Sequence, residues 1–231
     1  MRFEDTSVYN IYNAILGARN PMNSWNKSDS VFKGFNGKIE NTEIGKNDLA
    51  LAQKLIKAGS EHRKFMRQIF VSVDITAPLY WWKEFDTYKV GTVANSTSTM
   101  HKLASTPITE ECFEMGDFNE LDKLPLIDLE NARCTIGVYW EWALIPMLEK
   151  LRQKYNETKD KRYWKELIRL LPESWLQKRT VTMDYENLLA MCSKGQRRFH
   201  KLTEWSESFI SWARSLPYAQ ELLFLDELEV K

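Results

Sequence analysis

Hydrophobic residues recur with helical spacing along most of the chain, whereas the alternation typical of a strand is rare. The spacing predicts helices at residues 7–19, 47–58, 79–90, 131–155, 161–171, 185–193, 203–214 and 217–228. Strand patterns are confined to residues 65–76 and 178–183. Pro146 is expected to kink or interrupt the longest helix. The predicted fold class is α+β: one helix-rich domain, covering residues 1–231, with a small β-sheet.

Residues 20–47 show neither pattern. The segment is rich in Asn, Ser, Gly and Lys and contains few hydrophobic anchors. This composition is typical of segments that run over a protein surface, and long surface loops often carry function. We therefore expect a surface loop that could close over a ligand as a lid.

Composition narrows the class of protein. The 32 basic and 32 acidic residues cancel, which argues against general nucleic-acid binding but leaves room for a local phosphate site. No hydrophobic run approaches the roughly 18 residues of a membrane span. The three cysteines lie far apart without a CxxC pair, so a cytoplasmic location is expected. Nine tryptophans predict an aromatic core or interface, although Trp81 and Trp82 could instead stack on a flat ring.

Histidine is scarce, since His62, His101 and His200 are the only ones in the chain. Each has polar or charged neighbours, and an imidazole that titrates near neutral pH suits proton transfer, phosphate pairing or contact with a flavin. The alternative, that these are surface or capping residues, stays open. Neither HExxH nor HxH spacing occurs, so we expect no metal site.

A polar segment at residues 95–99 (Asn-Ser-Thr-Ser-Thr) offers four hydroxyls and one amide. Small hydroxyl side chains let backbone N–H groups approach an anion and add donors of their own. A guanidinium can bind a phosphate or carboxylate through two parallel hydrogen bonds. The candidate guanidinium groups are Arg67, Arg179, Arg197 and Arg198. The alternatives are a solvated loop and ordinary surface ion pairs.

The order of these features resembles the flavin-dependent thymidylate synthase family over roughly residues 50–215. That family has a Glu-His pair before a strand, then a motif of the form RHRxxSxNExSxRY, a Leu-Pro, an Asn-x-Arg at a strand-to-helix junction, and a terminal Arg and His segment. The matching positions here are Glu61-His62, Leu171-Pro172, the junction at residues 180–188, and Arg198, His200 and Glu204.

This chain departs from the family at the positions of the cations. Opposite NExSxRY, residues 95–101 keep only Asn95 and Ser98, and the RHR triplet falls on a stretch without arginine, residues 86–90. The later Asn-x-Arg becomes Asp184-Tyr185-Glu186. Loss of a charge-assisted phosphate contact typically weakens binding by orders of magnitude, so other cations would have to replace these arginines.

The resemblance implies a site and its ligands. By position it assigns catalytic roles to Ser98 and Arg198, and contacts with the cofactor FAD to His62, His200 and Asp184. It assigns binding of a pyrimidine nucleotide to Asn95, Ser96, His101 and Arg197. NADPH and folate would serve as co-substrates. The family is homotetrameric with sites built between subunits, which predicts a homo-oligomer here.

Two functions of different classes follow. The first is a flavin-dependent thymidylate synthase-like enzyme that transfers one carbon reductively to dUMP or a related pyrimidine nucleotide; the degenerate motif would then reflect an altered substrate. The second is a catalytically inactive protein on the same fold that binds or sequesters a nucleotide, as in a viral setting. A structural protein that oligomerises through its tryptophans is a third possibility.

Overall fold

The computed structural model describes residues 1–35, 38–115, 125–129 and 132–228. The strands, in chain order, are β1 (Arg2–Tyr9), β2 (Val31–Phe35), β3 (Lys38–Glu43), β4 (Phe70–Pro78), β5 (Val93–Ser96), β6 (Pro125–Leu129), β7 (Ala132–Thr135) and β8 (Leu176–Asp184). The α-helices are α1 (Ile11–Gly17), α2 (Lys46–Lys57), α3 (Leu79–Phe85), α4 (Thr99–Lys102), α5 (Ile136–Tyr139), α6 (Ile145–Thr158), α7 (Lys161–Leu170), α8 (Tyr185–Met191), α9 (Lys194–Phe199), α10 (Ile210–Arg214), α11 (Ala219–Leu222) and α12 (Leu225–Leu228). Two π-helical segments, Trp140–Leu144 and Glu204–Phe209, precede α6 and α10.

Four strands form one sheet in the order β1-β4-β8-β5, so β4 and β8 are central and β1 and β5 are edges. The pairs β2–β3 and β6–β7 form separate antiparallel sheets of two strands, with Val31 opposite Glu43 and Pro125 opposite Thr135. Helices account for most of the regular structure. The predicted fold class, helix-rich α+β with a small sheet, is confirmed.

The N-terminal prediction needs correction. Residues 7–19 were expected to form one helix, but β1 continues to Tyr9 and α1 begins only at Ile11. Asn10 separates the two elements because it adopts a left-handed conformation, with φ 68°, and its side-chain amide donates to the carbonyl of Gln68 at 2.9 Å. Asparagine tolerates this conformation better than most residues.

The predicted loop at residues 20–47 contains regular elements. Two 3-10 turns, Asn20–Met22 and Trp25–Lys27, are followed by β2 and β3, and α2 then begins at Lys46. The expectation of a segment without secondary structure was therefore wrong. The hydrophobic positions of the hairpin are too few to stand out among polar residues, which is why the pattern was missed.

The helix predicted at residues 131–155 begins at Ile136, after Thr135 caps it by accepting the N–H of Val138 at 3.2 Å. Regular α-helical geometry is interrupted directly before Pro146, which lies in the first turn of α6. Proline lacks an N–H and crowds the carbonyl four residues earlier, here that of Trp142. The chain widens into a π-helical turn at Trp140–Leu144, which relieves this conflict, and α6 then continues to Thr158.

The chain divides into two compact units. We call Met1, Thr76–Glu84 and Ser96–Arg179 the middle unit, and Arg2–Ile75, Phe85–Asn95 and the chain from Thr180 onward the terminal unit. The predicted single domain over residues 1–231 stays a prediction. Each unit is described by itself.

Tryptophans build the core of the middle unit. Phe113 is buried and meets the rings of Trp140 and Trp175 edge-on, with centroids 5.2 and 5.5 Å away. Leu103, Ile108, Leu144, Leu148 and Leu167 complete this cluster. These tryptophans therefore pack in a core, as the sequence favoured for most of them.

A carboxylate on α6 joins this core to the preceding loop. Glu149 accepts two hydrogen bonds from Arg152, at 2.6 and 2.7 Å, and one from the backbone N–H of Ile108 at 2.9 Å. The hydrogen bonds from Arg152 are the main cause that lowers the pKa of Glu149 from 4.5 to about 2. Its ionised form is therefore favoured by folding.

The terminal unit depends on a buried ion pair. Arg19 Nε donates to Asp48 Oδ1 at 2.5 Å, and the two side chains are 5% and 1% exposed. The other oxygen, Asp48 Oδ2, accepts from the hydroxyls of Ser28 and Ser30 at 2.6 and 2.5 Å. Burial alone would raise the pKa of Asp48, but these hydrogen bonds outweigh it and lower the pKa.

A neighbouring carboxylate fastens the same segment to the start of α2. Asp29 accepts the N–H groups of Asn47 and Asp48, at 2.9 and 3.1 Å, and so serves as the helix cap that Gly45 has no side chain to provide. A Cβ on Gly45 would lie 2.2 Å from Asp29 Cγ, so this approach requires glycine.

Removal of the guanidinium should destabilise the protein strongly. Arg19→Met leaves the Asp48 carboxylate buried without its cation, and the free energy of unfolding should fall by about 3 kcal/mol. Chemical denaturation measures this. The control is Arg169→Met, because its pair with Glu166 is about half exposed and should contribute less than about 1 kcal/mol. Equal losses in the two variants would contradict the structural role of the buried pair.

Glu149 should make stability depend on pH. A carboxylate whose folded pKa is depressed contributes fully above its unfolded pKa, and the contribution is lost as the pH falls from 4.5 towards 2. Glu149→Gln should therefore be less stable than the parent protein at pH 7, and the difference should vanish near pH 2. Urea unfolding at a series of pH values measures it. Exposed Glu111→Gln is the control, and a difference that persists unchanged into acid would refute the prediction.

Candidate functional site

A cavity of about 610 Å³ lies in the terminal unit, lined by α1, α2 and the turns that follow each of them. Its lining combines polar and apolar side chains, among them Asn10, Asn13, Asn20, Ser24, Glu61, His62, Lys64, Gln68, Leu51, Leu55 and Phe65. Small-molecule sites are concave and mostly apolar, with a few placed polar groups, and typically measure about 300–1,000 Å³. Size and lining both fit that description.

Carboxamides form half of the polar lining, and hydrogen bonds set their orientations. Asn13 Nδ2 donates to Asn10 Oδ1 at 2.7 Å, and Asn10 Nδ2 donates to the carbonyl of Gln68 at 2.9 Å. Asn20 Oδ1 accepts from the indole of Trp25 at 2.7 Å, so the NH2 end of Asn20 is the end that can donate to a ligand. The cavity therefore presents both donors and acceptors.

One wall of the cavity is held by the buried ion pair. Arg19, which pairs with Asp48, also donates from Nη1 to the carbonyl of Ser24 at 3.4 Å. Ser24 and Asn20 belong to the cavity lining. The residues predicted to form a lid thus include a fixed wall, because their backbone is attached to a desolvated charge pair.

Among the predicted site residues whose side chains the structure describes, His62 is the one that lines this cavity. It is exposed, and its backbone N–H donates to the carbonyl of Gly59 at 3.0 Å. Glu61 and Lys64 also line the cavity and face each other at 4.0 Å, a distance typical of a weak exposed pair. The rim therefore carries an imidazole, an ammonium and a carboxylate.

His200 occupies a different setting in the terminal unit. It is buried, and its ring stacks on Trp205 with centroids 4.0 Å apart and planes inclined by 23°. Its Nε2 lies 3.4 Å from the hydroxyl of Tyr88. The alternative of a surface histidine is wrong at this position. Its predicted contact with a flavin stays a prediction.

The adjacent arginines differ in their surroundings. Arg197 donates to the carbonyl of Cys192 and pairs with Asp226 at 2.5 Å, while its guanidinium lies over the ring of Phe224. The sequence left open whether Arg197 forms a structural ion pair, and these contacts show that it does. Substrate binding by Arg197 stays a prediction. Arg198 is exposed.

Asp184 begins helix α8. Its carboxylate accepts the N–H of Asn187 at 2.9 Å, and Asn187 Oδ1 accepts the N–H of Asp184 in return, which forms a capping box. Burial raises the pKa of Asp184. Gly91, with φ 79°, packs against this cap so closely that a Cβ would lie 2.7 Å from Asp184 Oδ2. The observed role of Asp184 is therefore structural, and cofactor binding stays a prediction.

The polar segment at residues 95–99 is partly strand and partly turn. Asn95 and Ser96 end the edge strand β5 and are exposed, whereas Ser98 is half-buried and precedes α4. By unit, Asn95 belongs with His62 in the terminal unit, and Ser96 and Ser98 belong to the middle unit. The side chain of His101 lies outside the described residues.

The cavity carboxamides were missed from the sequence. Asn13 lies on α1 and Asn10 immediately precedes that helix, and their spacing of three residues was the available signal. Asn20 and Gln68 approach them only through the tertiary fold. Within the described ranges no group of three or more His, Cys, Asp or Glu residues could hold a metal ion. Those same ranges contain no helix that is long and apolar enough to span a membrane.

Comparison with solved structures gives full-length similarity, whereas neither a family model nor a curated protein matches the chain. Two structures of the flavin-dependent thymidylate synthase ThyX from Helicobacter pylori, both with FAD and dUMP, align with a TM-score of 0.64 and 0.63 at 17% identity. The alignments cover 98% and 99% of this chain and 99% and 100% of the others. The likeness shows that the fold is that of these enzymes.

Substitution of Asp184 separates its structural role from the predicted cofactor role. Asp184→Ala removes the helix cap and should lower the free energy of unfolding by about 1 kcal/mol, whereas Asp184→Asn keeps an acceptor and should lose much less. Chemical denaturation measures both. If Asp184→Asn retains stability but loses affinity for FAD, the carboxylate has a ligand role as well. Equal destabilisation by both substitutions would refute the capping role.

Proposed function

We propose that this protein is a flavin-dependent thymidylate synthase-like enzyme, which binds FAD and a pyrimidine nucleotide and transfers one carbon to the nucleotide reductively. The observation that carries the proposal is the likeness over almost the whole length to two structures that hold FAD and dUMP. The cavity beside His62 supplies a site of suitable size in this chain. NADPH and folate are the co-substrates that such a reaction would use.

The cavity fits a flat heterocycle with alternating N–H and C=O groups. Asn13, Asn20 and Gln68 can donate and accept in the plane of such a ring, and Leu51, Leu55 and Phe65 provide apolar surface for its faces. FAD, when bound, supplies the hydride chemistry, and the protein supplies binding and orientation. In this assignment His62 contacts the flavin at the cavity rim.

Fewer side chains are candidates for binding a phosphate than for binding the heterocycle. Arg19 pairs with Asp48, and in the described lining of the cavity Lys64 supplies an ammonium group and His62 an imidazole. A lysine acts as a point charge and lacks the bidentate geometry of arginine. By the resemblance, Ser98 and Arg198 would act in catalysis, and Asn95, Ser96, His101 and Arg197 would bind the nucleotide. This set departs from the family and is consistent with a changed nucleotide.

The predicted oligomer has a candidate surface in the middle unit. Trp142 is 78% exposed, and Val138, Tyr139 and Met147 are also exposed on the same helical segment. Exposed apolar groups of this size are typical of interfaces. The homotetramer and the cytoplasmic location remain parts of the proposal.

One observation favours the alternative function, a nucleotide-binding protein without redox activity. Tyr88 lies where the family has its arginine-rich triplet, and its ring packs against Trp205 with centroids 5.5 Å apart. This position therefore contributes to an aromatic cluster with His200 and carries no guanidinium. A site built this way would hold a nucleotide more weakly and would polarise a flavin less.

Flavin binding decides between these functions. Purified protein should show the absorbance of oxidised flavin or bind added FAD, and dUMP should raise its melting temperature. His62→Ala should weaken FAD binding roughly tenfold, equivalent to about 1.4 kcal/mol. Ser60→Ala is the matched control, because Ser60 lies in the same turn outside the cavity lining.

Each outcome has a distinct meaning. Stabilisation by dUMP without FAD binding would refute the enzyme and support the nucleotide-binding alternative. No response to either ligand would refute both. Equal FAD affinity in His62→Ala and in the parent protein would refute the assignment of His62 alone.

A further inference from the structure

A buried amide in the middle unit supports the segment that contains Ser98. Gln177 lies on β8 and is only 7% exposed. Its Nε2 donates to the carbonyl of Thr97 at 2.8 Å, and its Oε1 accepts from Arg179 Nε at 2.9 Å. Its own backbone carbonyl accepts from the indole of Trp82 at 3.0 Å. Gln177 thus joins α3, β8 and the residue that precedes Ser98.

The orientation of this amide is determined by its neighbours. Arg179 can only donate, so the oxygen of Gln177 must face it, and the NH2 end must face the Thr97 carbonyl. Arg179 is itself held, since its guanidinium lies 4.2 Å from the ring centroid of Trp82. Trp82 is 1% exposed and packs edge-on against Trp81. The core therefore sets the position of the amide.

Thr97 is restrained on both sides of its backbone. Its N–H donates to the carbonyl of Lys178 at 2.9 Å, and its hydroxyl donates to the same oxygen at 3.2 Å. The side-chain amide of Gln177 donates a hydrogen bond to the Thr97 carbonyl. Ser96 and Thr97 are nevertheless exposed, and residues in exposed turns usually have fewer restraints. Such support from a buried network is what a ligand-contacting segment needs for a fixed geometry.

We propose that Gln177 is a positioning residue that holds residues 96–98 in the geometry required for binding the nucleotide. It acts through Thr97 and does not touch the ligand. Arg179 and Trp82 keep its amide in the required orientation. This inference rests on the proposed function, because it takes Ser96 and Ser98 to contact a pyrimidine nucleotide.

The test uses Gln177→Glu in the full-length protein. A carboxylate still accepts from Arg179, but its second oxygen faces the Thr97 carbonyl and repels it. Gln177→Met, which removes the amide without adding a charge, covers the case in which the acidic variant fails to fold. The control is Gln53→Glu, because Gln53 on α2 makes an equivalent amide bond to the carbonyl of Glu221 at 3.3 Å.

Two measurements report on the variants. In hydrogen exchange, the amide of Thr97 should exchange about tenfold faster in Gln177→Glu, which corresponds to about 1.4 kcal/mol of lost protection, and the helix α2 should be unchanged. In titrations, dUMP affinity should fall at least tenfold while FAD affinity stays the same. A purely structural defect would weaken both ligands together.

The outcomes separate the inference from the proposed function. Equal losses of dUMP and FAD affinity in Gln177→Glu would overturn the positioning role. If the parent protein binds dUMP, unchanged dUMP affinity in this variant would overturn it as well. Unchanged exchange at Thr97 would also overturn it. A parent protein that binds neither dUMP nor FAD would refute the proposed function itself, and the inference with it.

Discussion

The buried pair of Arg19 and Asp48 is the constraint on which the terminal unit depends. A carboxylate that is 1% exposed would be strongly destabilising without compensation, and here it receives a guanidinium and two hydroxyls. Because these donors come from residues 19–30, a segment with few hydrophobic anchors is attached firmly to α2. The same attachment forms a wall of the 610 Å³ cavity. The same ion pair therefore contributes both to the stability of the terminal unit and to the shape of the cavity.

The junction where the resemblance places an arginine carries a carboxylate in an internal ion pair. At the position where the resemblance places a family arginine, Glu186 accepts from Arg63 Nε, whose single N–H is shared between the two carboxylate oxygens at 2.9 Å each. Asn10, Asn13 and Gln68 orient one another beside the cavity, and Gln177 orients the turn before Ser98. Carboxamides recognise ring edges through direction, whereas guanidinium groups attract phosphate through charge. In the described lining of the cavity, directional amide groups therefore outnumber charged groups.

The four-stranded sheet contains two strands that the sequence pattern predicted and two that it missed. The central strands β4 and β8 were predicted, because residues buried on one face must alternate, as Val71, Val73 and Ile75 do. The edge strands β1 and β5 were missed. All four residues of β5 are exposed, so no hydrophobic pattern marks it, and its pairing with β8 alone makes it a strand. Pro146 was expected to kink or interrupt the long helix, and a π-helical segment breaks the α-helical geometry directly before it.

The sequence by itself determined the fold class, the central strands, most helices and the resemblance that predicted the matching structures, because periodicity and motif order are local properties. It also singled out His62, which lines the cavity, although its contact with a ligand stays a prediction. Only the tertiary structure decided how the other residues are used: Asp184 caps a helix, Arg197 pairs with Asp226, and His200 stacks on Trp205. The partners in these contacts, Asn187, Asp226 and Trp205, lie 3, 29 and 5 residues further along the chain. The sequence specifies which polar groups each side chain carries, but folding decides which partner each group contacts.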